Sequence, residues 1–420
     1  MKKAVLIIVL FSINTLFSQC WQTISGGGYD SPNYNLAIKN DSTLWAWGSN
    51  WNGELGDGTF ISKTQPTQIG TDTNWLKVAA GNNLSLALKS NHTLWSWGVN
   101  ISNVPIQIGQ DTDWQQVSCG MNINFAIKSN GTLWSWGGNS LIPIQIGTDS
   151  NWKIVNTNMG LHHAIKTNGT LWGWGNNFYG GIGDGTTISK TNPVQIGTDT
   201  NWDTITNGEQ SGFAIKTNGT LWAWGWNYYG DLGDGTTLIK LTPIQIGAAN
   251  NWQKISSKYH HTLGIKSDGT LWLWGIFGNQ TPTQLGTESD WQQIAAGANT
   301  GTKIVALKSN STLWDFSQNP NPPTQVTCAP LAITNFERNV NFLFYPNPTK
   351  SNITIEILNG TSIDNKVITI INPIGQIVFT TALNQEKTII SLEKYAKGIY
   401  FIEIINKNNE IIEVKKILLE

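Results

Sequence analysis

Charge is scarce in this chain. Asp, Glu, Lys and Arg make up 13% of its 420 residues, and the formal net charge is −1, or about −3 without Lys2 and Lys3. So little basic excess gives no electrostatic footprint for nucleic acid, which is not expected as a partner. A long apolar run is missing as well. Ala4 to Phe17 is interrupted by Ser12, Asn14 and Thr15 and falls short of the roughly 20 residues that span a bilayer. Behind Lys2-Lys3 and ahead of Ser18-Gln19 it reads as a secretory signal over residues 1–19, leaving no transmembrane span after cleavage. No Gly-x-Ser-x-Gly, His-Glu-x-x-His, phosphate loop or dinucleotide fingerprint is present, and no acid–base pair stands out. The expectation is a protein without catalysis, cofactor or metal. Cysteine occurs three times, at positions 20, 119 and 328, an odd number that asks for one pair and one spare in an exported protein.

Tryptophan is what the chain has instead, 22 times. Six Thr-Leu-Trp-x-Trp boxes hold twelve of them, from Trp45/Trp47 to Trp272/Trp274, and a degraded seventh box holds Trp314. Trp21, Trp75, Trp114, Trp152, Trp202, Trp252 and Trp291 open the seven units. Trp51 and Trp226 fall in loops just after a Trp-Gly pair. Each unit reads as four short strands rich in β-branched and aromatic residues and separated by turns, with no helical period. Seven units of four strands predict a seven-bladed β-propeller. Periodicity alone does not say which strand lies innermost.

In the box both strand faces are apolar, Leu44 and Ala46 on one side and Trp45 and Trp47 on the other, the pattern of a blade sandwiched between two others. The tryptophans are therefore read as packing. Asn168-Gly169, repeated at Asn130-Gly131, Asn218-Gly219 and Asp268-Gly269, predicts a two-residue hairpin turn with positive φ at both positions. Box spacings of 50, 39, 38, 50, 50 and 42 residues show that units one, four and five carry an insert built on Leu/Ile-Gly-Asp-Gly-Thr. Insertions in repeats map to loops on one face, so function is expected there.

Cys20 precedes the first unit by one residue and Cys328 follows the last strand (324–326) by two. Ring closure would make them neighbours, which predicts a Cys20–Cys328 disulfide contributing up to about 5 kcal/mol. Cys119 is then a buried free thiol. The rival, a lipid on Cys20, is disfavoured by Gln19 where a small residue is wanted. The loop aromatics Trp51, Phe178, Tyr179, Trp226, Tyr228, Tyr229 and Phe277 are the candidate ligand-binding residues, suited to stacking on sugars or anchoring a protein. Asp57, Asp184 and Asp234 give one recurring aspartate per insert, short of the several oxygen ligands in close register that calcium needs. The pairs His162-His163 and His260-His261 share a repeat position, read as inherited packing, with no matching carboxylates for zinc.

The units resemble the regulator of chromosome condensation repeat over about residues 21 to 326, most weakly in the seventh. The resemblance implies a seven-bladed propeller, and its exchange-factor and chromatin roles do not suit an exported chain without a basic surface. Residues 342–420, through Tyr345-Pro346-Asn347-Pro348, Gly375, Gly398, Tyr400 and Lys415-Lys416, resemble the type A sorting domain of the type IX secretion system. That implies a small antiparallel β-sandwich, the type IX machinery as partner, and delivery outside the cell or to its outer surface in a Bacteroidetes-type bacterium. The expected layout is signal 1–19, propeller 20–326, linker 327–341 and sorting domain 342–420. The expected function is binding of an extracellular glycan or protein on the long-loop face, with inhibition of a secreted enzyme as the alternative.

Overall fold

The computed structural model describes residues 20–28, 33–137, 140–275, 279–297, 304–316, 323–326, 342–358, 366–372, 376–406 and 411–420. They form strands and turns, with no helix among them. Contacts divide the chain into two compact units, Met1–Pro330 and Leu331–Glu420.

The first unit is a seven-bladed β-propeller. Seven four-stranded antiparallel sheets follow one another, each in simple sequence order. Blade four, for example, runs Trp152–Asn158, Leu161–Lys166, Leu171–Gly175, Lys190–Ile196. The strand that opens each repeat is innermost. All seven opening strands, from Trp21–Gly27 to Trp291–Ala296, line one central cavity of about 220 Å³. Each touches the next, and the seventh touches the first. At that closure Trp21, Ile24 and Trp47 share a buried cluster with Ala295, Val305 and Leu313, and Gln293 Nε2 donates to Gln22 O at 2.7 Å.

Each blade also seats one lysine on its tryptophans. The opening tryptophan meets the first box tryptophan edge-on, as Trp152 meets Trp172 at 5.8 Å and 77°, and Trp172 Nε1 donates to Thr170 Oγ1 at 2.9 Å. Over both rings sits the lysine that ends the second strand. Lys166 Nζ is 3.9 Å from the Trp172 centroid and 2.7 Å from Asp149. Cation–π and ion-pair contacts thus share one ammonium. Lys39 and Lys266 lack a carboxylate within salt-bridge reach among the described residues, and burial lowers the pKa of both.

One expectation about loops is corrected. The Asn-Gly turns are not two-residue loops with both positions left-handed. Gly169 has φ 75° but Asn168 is not among the positive-φ residues. Gly169 N donates to Lys166 O at 2.9 Å and Lys166 N to Thr170 O at 3.1 Å, a three-residue loop closed by a left-handed glycine. The inserts are in large part braces. Asn177 Nδ2 donates to Asp184 Oδ1 and Thr186 O, at 3.2 and 3.0 Å, and Asp184 also pairs with Lys190 at 3.1 Å. Ile182 is fully buried, and Gly185 N donates to Leu241 O of the next blade at 2.9 Å. Gly183 lies so close to Trp224 of that blade that a Cβ would sit 2.7 Å from its Nε1. The same bonds recur at Asn50/Asp57 and Asn227/Asp234.

The second unit is a β-sandwich of a three-stranded sheet (Phe342–Tyr345, Asn352–Ile357, Lys387–Ser391) and a four-stranded one (Ile377–Ala382, Val367–Ile371, Gly398–Ile405, Ile411–Leu419). Phe342, Ile353, Ile368, Ile402 and Ile417 fill its core. Asn347 ties the turn holding Pro346 and Pro348 to the last strand, donating Nδ2 to Lys416 O at 2.9 Å and accepting from Leu418 N at 3.0 Å. Tyr400 is buried, with its hydroxyl on Ala396 O, while Lys415 and Lys416 are exposed. Gly375, Cys328 and the expected signal and linker lie outside the described residues.

Candidate functional site

Antiparallel strands in sequence order send alternate connections to opposite faces. In every blade the hairpin between strands one and two therefore shares a face with the loop between strands three and four, and the inserts are loops of the latter kind. On that face Tyr179, Trp226, Tyr228 and Tyr229 come together. Tyr179 meets Trp226 edge-on at 4.2 Å, Tyr228 stacks on Trp226 at 5.1 Å, and Trp226 stacks at 6.5 Å on His260, which Tyr229 also meets at 4.7 Å. Trp226 thus packs between Tyr228 and His260, whereas Tyr228 remains 65% exposed. Phe178 is 70% exposed and joins no ring pair among the described residues. Trp51 is exposed on blade one, on the same insert as the exposed Phe60 and Ile61, and Phe277 lies outside the described residues.

His260 is where the sequence reading falls short. Its Nδ1 is 2.9 Å from Asp231 Oδ1 and its Nε2 3.3 Å from Glu209 Oε2. The carboxylates come from the blade-five insert and the blade-five hairpin, so no matching repeat position reveals them. A partial signal exists: Asp231 stands where unit one has Glu54 and unit four Gly181. Tyr259, beside His260, holds φ 55°, a strained backbone of the kind that gathers at functional positions. The other paired histidines are packing groups. His162 Nδ1 and Thr157 Oγ1 are 2.7 Å apart, and His163 bridges Asn207 and Ile182 O. Burial pulls His162 to about 3 and His261 to about 4, each helped by its neighbouring histidine.

The insert aspartates are committed to their own loops. Burial would raise Asp184, but bonds from Thr186 and Lys190 hold its pKa below the usual carboxylate value; Asp57 and Asp234 behave alike. In the central cavity Lys258 Nζ reaches across the ring to Gly26 O at 3.0 Å and Ala80 O at 3.3 Å, and burial brings the amine down to about 8. Cys119, on the same wall, is a free buried thiol.

Comparison with known proteins agrees with this architecture. The regulator of chromosome condensation (RCC1) repeat matches residues 41–88, 168–215 and 218–265, and the secretion system C-terminal sorting domain matches residues 343–420. No curated protein matches the chain. Among solved structures it is similar to human WBSCR16, with 19% identity and a TM-score of 0.58 over 66% of this chain and 84% of that one. It is also similar to Prp20p of Saccharomyces cerevisiae, a structure described with its binding properties to Gsp1p and histones, at 18% identity and a TM-score of 0.60 over 79% of this chain and 90% of that one. Identities this low speak for the fold alone. The chain is a propeller of regulator of chromosome condensation repeats that carries a secretion-system sorting domain at its C-terminal end, which marks it as exported or displayed at the cell surface.

Proposed function

We propose that the propeller is a non-catalytic binding module that docks an extracellular protein on its loop face after type IX export. The observation that carries this reading is the makeup of that face. Phe178, Tyr228 and Tyr229 stand exposed on the inserts of two consecutive blades, next to Ile188 and Leu238, which are 66% and 65% exposed. Single exposed apolar residues are ordinary, but aromatic and aliphatic groups gathered on one face have the composition of a protein interface. The ion pairs of the propeller brace its blades, which supports a role in binding over chemistry. Inhibition of a secreted enzyme is one form of this reading. The binding of Gsp1p and histones by the yeast protein does not carry over, given the distant identity and this chain's near-neutral charge.

A glycan is the second reading, favoured by Tyr228, whose ring is stacked on Trp226 yet 65% exposed, as a sugar platform would be. Capture from host-cell and neighbour-cell extracts beside a glycan array decides between them. One protein retained by the native chain and lost with Tyr228→Ala/Tyr229→Ala, with no saturable glycan signal, is the expected result. A glycan signal lost in the same variant would replace the protein reading, and capture unaffected by the variant would remove the loop face as the site.

A further inference from the structure

One cation and no carboxylate wall the central cavity. Lys258 and the Cys119 thiol are its only ionisable groups among the described residues. From blade six Lys258 passes blade seven and gives two of its three N–H donors to Gly26 O in blade one and Ala80 O in blade two. No carboxylate lies within salt-bridge reach of it among the described residues, and Glu209, on the adjoining hairpin, turns to His260 instead. Burial lowers the amine to about 8, opposed by the Cys119 thiol alone. The repeat does not supply this lysine. The same position, six residues after the opening tryptophan, is Asn158 in blade four and glycine in the other five. Further donors surround the ammonium. Ser25, Ser118 and Ser256 line the cavity, and each accepts a backbone N–H from the next blade, at 2.9, 3.0 and 3.0 Å. Their own hydroxyl hydrogens have no acceptor among the described residues. The N–H groups they cover belong to Ala80, Thr157 and Ala296. At the equivalent register positions in blades one, three and six, the N–H of Gly26, Cys119 and Ser257 meets no side chain among the described residues.

We infer that the central cavity is a binding site for a small carboxylate, held by the Lys258 ammonium and the serine hydroxyls that share its wall. A carboxylate brings the missing charge, and its two oxygens accept several hydrogen bonds at once. A neutral molecule of the same shape could take the hydrogen bonds but would leave the ammonium unpaired in a confined space. The cavity's volume of about 220 Å³ lies below the roughly 300–1,000 Å³ of ordinary ligand pockets, so the ligand has a few carbon atoms at most. The site shares no residue with the loop aromatics, and it stands whether or not that face docks a protein.

The test titrates the full chain with ¹³C-labelled acetate in chloride-free buffer and follows the acetate signal, with acetamide as the neutral control of like shape. The expected result at pH 7 is saturable binding of acetate and none of acetamide. The ammonium is present below its pKa of about 8 and lost above it, so acetate should bind about tenfold more weakly at pH 9 than at pH 7. Surface lysines, with pKa near about 10.4, stay charged across that interval and cannot imitate the loss. The chain's α-amino group does titrate there, and Lys258→Met, in which acetate binding should vanish, separates the two. No saturable signal, equal binding of acetamide, an affinity that does not change between pH 7 and 9, or acetate binding retained in Lys258→Met overturns the proposal. Displacement of acetate by an equal concentration of chloride would assign the site to a halide instead. Because the acetamide and pH comparisons use the native chain, a misfolded variant cannot produce the result. Tyr228→Ala/Tyr229→Ala should leave the titration intact.

Discussion

One left-handed residue closes every hairpin between the second and third strands of a blade, and the repeats fill that position unequally. Gly131, Gly169, Gly219 and Gly269 hold it at φ 75–77°, whereas Ser42, His92 and Ser311 hold it at 61°. A Cβ there disfavours the left-handed well and meets the following turn; at Gly169 it would lie 2.0 Å from Thr200 O. Ser42→Gly and Ser311→Gly should therefore each stabilise the propeller by about 0.5–1 kcal/mol, the relief of the left-handed penalty less the entropy of glycine. Gly169→Ala should cost about 2 kcal/mol or more. Denaturant unfolding of the three variants measures this, and a stabilising Gly169→Ala would show that the loop is free to rearrange. The sequence displays these turns as Asn-Gly and Asp-Gly pairs, but which residue is left-handed depends on loop length, and that follows from the backbone bonds at Lys166. The lysine at the end of each second strand was likewise visible as a letter, while its seat on two tryptophans was not, because the opening tryptophan and the acid come from other strands and turns.

At the scale of elements, the inserts join two jobs that the sequence presents as one. Seven blades, their four strands and the packing role of the box tryptophans could be read from period and alternation, because each is local to a repeat. The contact of Gly183 with Trp224 and the meeting of Glu209, Asp231 and His260 join neighbouring repeats, and no pattern within a repeat encodes them. The Gly-Asp-Gly portion braces the next blade, and the aromatic tips and their aliphatic neighbours remain for a ligand. Asp57, Asp184 and Asp234 carry the brace as carboxylates. Their burial raises the pKa, and the bonds from threonine, lysine and asparagine outweigh it, so the folded value lies below the unfolded value near 3.8. The folded state then binds fewer protons than the unfolded one. The stabilisation is complete above about pH 4 and is lost as pH falls through the folded pKa. The melting temperature should drop as pH falls below about 4, and Asp184→Asn should be less stable at pH 7 with a shallower acid decline. An unchanged acid profile in that variant would mean that Asp184 is already protonated or that its bonds contribute nothing net.

The whole propeller is closed without a shared strand. Blade one is built wholly from the N-terminal side and blade seven wholly from the C-terminal side, so no backbone ladder crosses the seam between them. What holds the seam is side-chain packing around Trp21 and Trp47, the bond from Gln293 to Gln22, and a single backbone bond from Trp21 N to Ser311 O at 3.3 Å. Cys20 packs on that cluster together with Val326, two residues before Cys328, and with Cys119 free the composition offers Cys20 no other partner in the chain. A Cys20–Cys328 disulfide is therefore proposed as the covalent closure of a ring of roughly 300 residues, where loop-entropy arguments allow about 3–5 kcal/mol. Thiol titration separates the possibilities. Burial pushes the Cys119 thiol up to about 12, so the folded chain should react hardly at all, the unfolded unreduced chain at one thiol, and the reduced chain at three. Two thiols before reduction, with added mass at Cys20, would instead establish the lipid-modified form, and three would establish that the ring closes by packing alone. If the bond is present, Cys328→Ser should lower the unfolding free energy by about 3 kcal/mol or more, and hydrogen exchange should rise first in the strands of blades one and seven, because theirs is the one boundary between blades that no chain connection bridges once the disulfide is gone.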